Sequence, residues 1–144
     1  MPNREIHNTL HVVPLIVPIA ARTDNTAIVS AIIDTAGYNA AEFVIVTGTN
    51  TDTNATFAVT VDAGDVANLS DAAAVPASQL VGTLTQASFD FGDDNECRKI
   101  GYIGTKRYVR VTVTPSGNDS GNIFISGVAV LGYPATGPTA NPPQ

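Results

Sequence analysis

The sequence predicts one all-β domain, a single antiparallel β-sandwich of about eight strands, of which a jelly roll is one possible form. Thr, Ala, Asn, Val and Gly are abundant and only 14% of residues are charged, a composition that suits sheets and tight turns. Clusters of turn-forming residues recur about every ten to fifteen positions. Residues 108–114 also alternate strictly between polar side chains and valines, which predicts one buried and one exposed strand face.

Residues 1–22 are predicted to form an extended N-terminal arm. Pro14 and Pro18 exclude a regular helix and a full place in a central strand. The surrounding side chains are too apolar to trail in water, so the arm should lie along the body or along a neighbouring subunit. An edge strand of the same domain is the alternative. The apolar run 12–21 is about half as long as a membrane-spanning helix, and the first residues lack a signal-peptide layout, so we expect a soluble protein.

The body is predicted to span residues 23–133. Its first strand covers 26–34, and its second, 42–48, is apolar throughout and should be central. A third strand over 55–62 should form a hairpin with the second, because a cluster of turn residues separates them. This third strand alternates, and its predicted inward side chains are Phe57, Val59 and Val61.

Residues 63–78 form the only stretch with helical tendency. Asn68 or Ser70 could cap a short helical turn through residues 71–74, and Pro76 would end it. Two further strands are predicted beyond it, over residues 79–84 and 87–91.

Three consecutive strands complete the body, over residues 98–104, 107–114 and 122–133. In the middle strand the predicted inward residues are Val109, Val111 and Val113, and the opposite face carries Tyr108, Arg110, Thr112 and Thr114. Residues 134–144 contain four prolines and form a Pro-rich tail, either loose or laid on a neighbour.

The charge pattern allows two interpretations. The net charge is −6, which argues against direct nucleic-acid binding. Five of the seven basic residues nevertheless fall within residues 98–110, just after an acidic stretch over 90–96. Local charge pairing in a solvated hairpin explains this arrangement. Complementary patches that meet across a subunit boundary explain it equally well, since charge there sets register and partner choice.

No catalytic, cofactor or metal site is predicted. His7 and His11 are the only histidines, and in an extended arm residues four apart lie about 13 Å from each other. Cys97 is the single cysteine, so no disulfide can form within the chain. The acidic turns at 62–65 and 90–96 could offer oxygen ligands to calcium, but neither has the spacing of a known calcium loop. With no Trp, the chain is poor in the aromatics on which sugars stack.

Four segments resemble small structural proteins encoded beside the major capsid gene of tailed phages, namely residues 32–38, 43–49, 69–75 and 98–110. The resemblance spans residues 28 to 133 and implies a non-enzymatic capsid decoration, or cement, protein. Such a protein would sit on the outer surface of the virion head and clamp neighbouring capsomers. Its partners would be the major capsid protein and copies of itself, as a homotrimer or a dimer, with no membrane. The alternatives are another virion component (a connector, tail or spike subunit) and a carbohydrate-binding β-sandwich module or sandwich enzyme.

On this hypothesis the arm and the basic strand region make the contacts. Deleting residues 1–20 should then leave a folded body that no longer binds heads. The residues expected to contact the capsid or another subunit are Leu10, Val12, Val13, Leu15, Ile16, Val17, Arg98, Lys99, Lys106, Arg107, Tyr108 and Arg110.

Overall fold

The computed structural model describes residues 4–143, and eleven strands form nearly all of its regular structure. In chain order the strands are β1 (Leu10–Ile16), β2 (Ile28–Val29), β3 (Ile33–Asp34), β4 (Tyr38–Asn50), β5 (Thr56–Gly64), β6 (Ala73–Ala74), β7 (Leu80–Val81), β8 (Phe89–Asp90), β9 (Cys97–Tyr102), β10 (Tyr108–Ser116) and β11 (Ile123–Pro134). A 3₁₀ turn at Ala77–Gln79 and one helical turn, α1 (Leu84–Ala87), interrupt them. None of the helices among the described residues is long and apolar enough to cross a membrane.

The strands form two antiparallel sheets, and their order is that of a jelly roll. Sheet I has the order β1-β11-β4-β9-β7, and sheet II has the order β2-β10-β5-β6, with β3 also on β10 and β8 also on β5. The short strands β2 and β3 occupy one position at the edge of sheet II, and β6 and β8 occupy another. With these pairs counted as single strands, successive strands of the chain lie in alternate sheets, except that β5 and β6 lie in the same sheet, as in a jelly roll. The predicted all-β sandwich is therefore confirmed.

The core lies between the sheets and follows the alternation read from the sequence. Val109, Val111 and Val113 of β10 are fully buried, while Tyr108, Arg110, Thr112 and Thr114 lie on its other face. On the neighbouring β5 the predicted inward side chains are also buried, and Phe57 stacks on Phe89 with 4.9 Å between ring centroids. The run over residues 42–48 belongs to β4, which is central in sheet I as predicted.

The predicted hairpin between the second and third strands is wrong, because β4 and β5 lie in different sheets. The connection between them passes from sheet I to sheet II, and one carboxylate holds it in place. Asp52 is buried, and its Oδ2 accepts the backbone N–H groups of Asp119 and Ser120 at 3.0 and 2.8 Å. These bonds fasten the crossing to the loop between β10 and β11. They also hold the pKa of Asp52 below its usual range.

The helical turn predicted over residues 71–74 is also wrong. The Asp71 carboxylate accepts the backbone N–H groups of Asp65 and Val66, so it closes a turn, and Ala73–Ala74 then pairs with β5 as β6. The helical turn that does form is α1, which Thr83 caps by accepting the N–H of Gln86 at 3.1 Å. This turn lies where strands were predicted, and only short strands remain on either side of it.

Residues 10–16 are an edge strand of the body, the alternative to a separate arm. β1 pairs antiparallel with β11, and its register shifts between Pro14 and Ile16. Pro14 fits because an edge position needs no N–H on its outer side. Leu15 and Ile16 are only 1% and 3% exposed and belong to the main core. A boundary at residue 22 therefore does not separate an arm from the body.

Candidate functional site: an apolar face and groove on sheet I

The outer face of sheet I carries exposed apolar side chains from three adjacent strands. Val12 of β1 and Val128 of β11 are exposed there, as are Val46 of β4, at 41%, and Phe124 of β11, at 55%. An apolar surface shared by neighbouring strands is a candidate interaction site. We call this surface the apolar face.

The face arises because the central strands are apolar on both sides. In β4, Phe43 and Ile45 point into the core and are almost fully buried. Val44 and Val46 alternate with them and therefore point outward. β11 repeats the pattern and sets Val128 opposite Val44. The chain supplies a covering layer for the inner side of these strands but leaves the outer side open to solvent.

A groove runs along this face between the sheet and the segment that follows β1. Its β1 end is a cavity of about 560 Å³ lined by Val12, Pro14 and Val128, among others. Its other end is a cavity of about 320 Å³ that extends to Phe124. Pro18, Val46 and Ser126 line both cavities, so they form one continuous groove, and no lining residue is charged. We call it the apolar groove.

One carboxylate lies on the same side of the sheet, between β11 and β9. Glu42 pairs with Val130 on one neighbour and with Gly101 on the other. Burial raises the pKa of Glu42, and the charge of Lys99 works against this rise. Gly101 is required here, since a Cβ at this position would lie 2.9 Å from both Glu42 Oε2 and the Cβ of Val81.

The outer face of sheet II is polar, and its predicted contact residues are occupied by partners within the chain. Arg107 donates two hydrogen bonds to Asp34, at 2.8 and 2.9 Å, and its guanidinium lies 5.0 Å from the ring centre of Tyr108. The hydrogen bond from Arg107 is the main reason why the pKa of Asp34 is lowered. Arg110 Nη2 lies 3.8 Å from Asp62 Oδ2.

Two further basic side chains of this region are also paired with carboxylates, whereas Lys99 is exposed on β9 of sheet I, opposite Val44, and acts on Glu42 through its charge. Lys106 pairs with Asp65, and Arg98 contacts Asp93 at 2.8 Å and Glu96 at 2.9 Å. Of the two interpretations of the charge pattern, local pairing describes these contacts.

The structure separates the apolar residues predicted as contacts into two groups. Leu15 and Ile16 are buried in the core of their own chain, and Val13 packs against the same core. Val13 and Ile16 also border the β1 end of the apolar groove. Val12 and Val17 line the apolar groove, and Leu10 is half-buried beside it.

Sequence reasoning missed Val46, Phe124 and Val128. The available signal was that β4 and β11 also carry valine and phenylalanine at outward positions. A continuous apolar run indicates a strand covered on both faces.

The histidines and the cysteine do not form a chemical site. The ring of His11 stacks on Tyr38 at a centroid distance of 5.5 Å, and Cys97 is exposed at the start of β9. Within residues 4–143, no three or more His, Cys, Asp or Glu side chains are placed to hold a metal ion.

Comparisons with known proteins find only distant structural likenesses. No family model matches the chain, and no curated protein sequence matches it. Dimeric latent PorU from Porphyromonas gingivalis aligns at a TM-score of 0.42 and 8% identity over 86% of this chain, which spans 13% of the PorU chain. The xylan-binding module CBM15 aligns at 0.41 and 11% identity, covering 92% of this chain and 95% of the module. The CBM22-1-GH10 modules of Clostridium thermocellum xylanase 10B align at 0.39 and 12%, over 94% and 28% of the two chains.

Proposed function

We propose that this protein is a capsid decoration, or cement, protein that binds the outside of a tailed-phage head and joins neighbouring capsomers. The observation that carries the proposal is the apolar face of sheet I, whose outward Val46, Phe124 and Val128 lie in the open. The resemblance of four sequence segments to structural proteins encoded beside phage capsid genes supports the choice of partner. The major capsid protein is the proposed partner, and the outer surface of the virion is the proposed location.

The apolar face supports attachment by many modest contacts. Val46 and Phe124 each have about half of their side chain left to bury, which corresponds to about 1 kcal/mol apiece when a partner covers them. One copy would therefore bind weakly after the cost of ordering side chains is subtracted. Simultaneous binding at several sites of a symmetric shell raises the total strength without new kinds of contact.

The polar outer face of sheet II is better suited to face solvent than the capsid. Its basic side chains are already paired with carboxylates of the same chain, as in the Arg107–Asp34 pair. Such a surface gains little from meeting another protein, because exposed ion pairs contribute little. In the proposed arrangement sheet I therefore faces the shell and sheet II faces solvent, with Arg107, Tyr108 and Arg110 outward.

The test is co-sedimentation of the purified chain with phage heads that lack it. Val128→Asp places a charge on the apolar face and should weaken head binding by at least about tenfold, since one desolvated charge costs more than 1.4 kcal/mol. Val29→Asp is the matched control, because Val29 is 54% exposed on the edge of sheet II. Head binding that Val128→Asp leaves intact, or that Val29→Asp abolishes equally, would contradict the proposed orientation.

Reconstruction of whole particles by electron cryo-microscopy tests the identity of the partner. Density for this chain at junctions between capsomers is the expected result. Density in the neck or tail would move the protein to the class of connector, tail or spike subunits.

A further inference from the structure

The C-terminal segment of the chain enters the apolar groove. It crosses the start of β1, where Thr139 donates its backbone N–H to the Asn8 carbonyl at 3.0 Å and its Oγ1 to the Leu10 carbonyl at 2.6 Å. Asn141 Nδ2 lies 3.2 Å from Nε2 of His7. Pro143 then lines the β1 end of the groove, together with Val12 and Val128. The tail therefore lies on its own N-terminal region, while the groove continues beyond it.

The open part of the groove offers the same chemistry as the part that Pro143 lines. Proline and valine side chains line the β1 end, and Pro18, Ile19, Val46 and Phe124 line the open end. The whole groove follows β11 from Val128 to Phe124 over about 13 Å, and its open part, from Ser126 to Phe124, is about 7 Å long and accommodates roughly two residues of extended chain. Residues 137–144 are an uncharged segment with three prolines, whose fixed φ angles lower the entropic cost of ordering the segment on a partner.

We propose that the open end of the apolar groove binds the C-terminal segment of a second copy of this chain. The occupant is assigned from the structure itself, because this segment is the one seen against the same groove. In this contact the tail of one copy exchanges its place on its own N-terminal region for the groove of the next copy, so the contact is head-to-tail. Head-to-tail contacts form closed rings when the rotation that relates neighbouring copies brings the last copy back to the first, and they otherwise form open chains. The proposal goes beyond capsid attachment and requires no capsid. Val46 and Phe124 belong to both proposed contacts, so a second copy's tail and a capsid subunit compete for them.

A complementation experiment with the full chain tests this contact. One variant carries Phe124→Ser, which alters the open end of the groove at an exposed position. The other carries Pro142→Asp and Pro143→Asp, which alters the tail. Wild-type protein should self-associate with rising concentration in sedimentation velocity, whereas each variant alone should stay monomeric. A 1:1 mixture should form a dimer that does not grow, because only one intact groove and one intact tail can meet.

A labelled synthetic peptide of residues 134–144 gives a second measurement. It should bind the wild-type chain saturably, bind the Phe124→Ser variant about tenfold more weakly, and bind a Val29→Ser control normally. Self-association that survives in both variants, or a peptide that binds wild type and Phe124→Ser equally, would overturn the proposal. Neither measurement uses phage heads, so self-association can fail while head binding stands, and the reverse.

Discussion

The most informative perturbation is Leu15→Ala, because it separates an edge strand from a detachable arm. Leu15 is 1% exposed and touches the core between the two sheets, whereas Val17, two residues later, is 55% exposed. Truncating a fully buried leucine costs about 2–5 kcal/mol, from lost burial and from the cavity that remains. The same truncation at Val17 should cost no more than about 0.5 kcal/mol.

Urea unfolding followed by far-ultraviolet circular dichroism measures the difference. With a slope of about 2 kcal/mol per molar urea, Leu15→Ala should lower the midpoint by about 1–2.5 M while leaving the slope unchanged. Val17→Ala is the matched control and should shift the midpoint by no more than about 0.3 M. Equal midpoints for the two variants would refute the edge-strand assignment and restore a separable arm.

The same reasoning changes the expectation for an N-terminal deletion. A body lacking residues 1–20 loses β1, its pairing with β11, and the buried Leu15 and Ile16. Since a domain of this size is stable by about 5–15 kcal/mol, this loss should unfold it or nearly so. The deletion therefore cannot test head binding by itself, and single substitutions on the apolar face are the better tool.

Two further predictions concern parts of the body far from the groove. Ser88 Oγ accepts the N–H of Val59 at 2.9 Å and donates to the Leu84 carbonyl at 2.7 Å. Ser88→Ala should lower the free energy of unfolding in urea by about 1–3 kcal/mol, because the N–H of Val59 loses its acceptor. An unchanged midpoint would show that this N–H finds another acceptor. Arg107 lowers the pKa of Asp34 in the folded state. The pair therefore stabilises the fold at pH values above the pKa that Asp34 has in the unfolded chain, and this stabilisation is lost as the pH falls through the lower pKa of Asp34 in the folded protein. Thermal melts between about pH 6 and pH 2 should therefore show a smaller loss of stability for Asp34→Asn than for wild type, and parallel curves would contradict the assignment.

The sequence predicts which face of each long strand is buried, since alternation is a local property of a strand. It does not predict which sheet a strand joins. A cluster of turn residues looks the same whether it closes a hairpin or carries the chain across the sandwich, and the connection after β4 does the latter. The partners of Asp52 that hold this crossing together are contributed by residues 67 and 68 positions away. No local pattern contains that information.

The partners of the basic residues were hidden from the sequence for a related reason. Arg107 pairs with Asp34, which is 73 residues away in sequence. Lys106 likewise meets Asp65 from another strand region, 41 residues away. A cluster of basic residues in a sequence therefore shows where positive charge is concentrated, but not whether those side chains are unpaired. The fold decides which acidic residues lie beside them.

In the apolar face the local sequence pattern was correct, but the chain itself covers only one side of the strand that the pattern describes. Residues 42–48 were predicted to be central because they are apolar throughout, and a strand of that kind is normally covered on both faces. The fold covers the side with Phe43 and Ile45 but leaves Val46 exposed. Exposed valine and phenylalanine side chains cost solubility and give the isolated domain little stability, and the binding face that we propose gives them a physical role. The apolar residues of β4 and β11 beyond what one core needs are the sequence signal on which that proposal depends, because they occupy both sides of each strand.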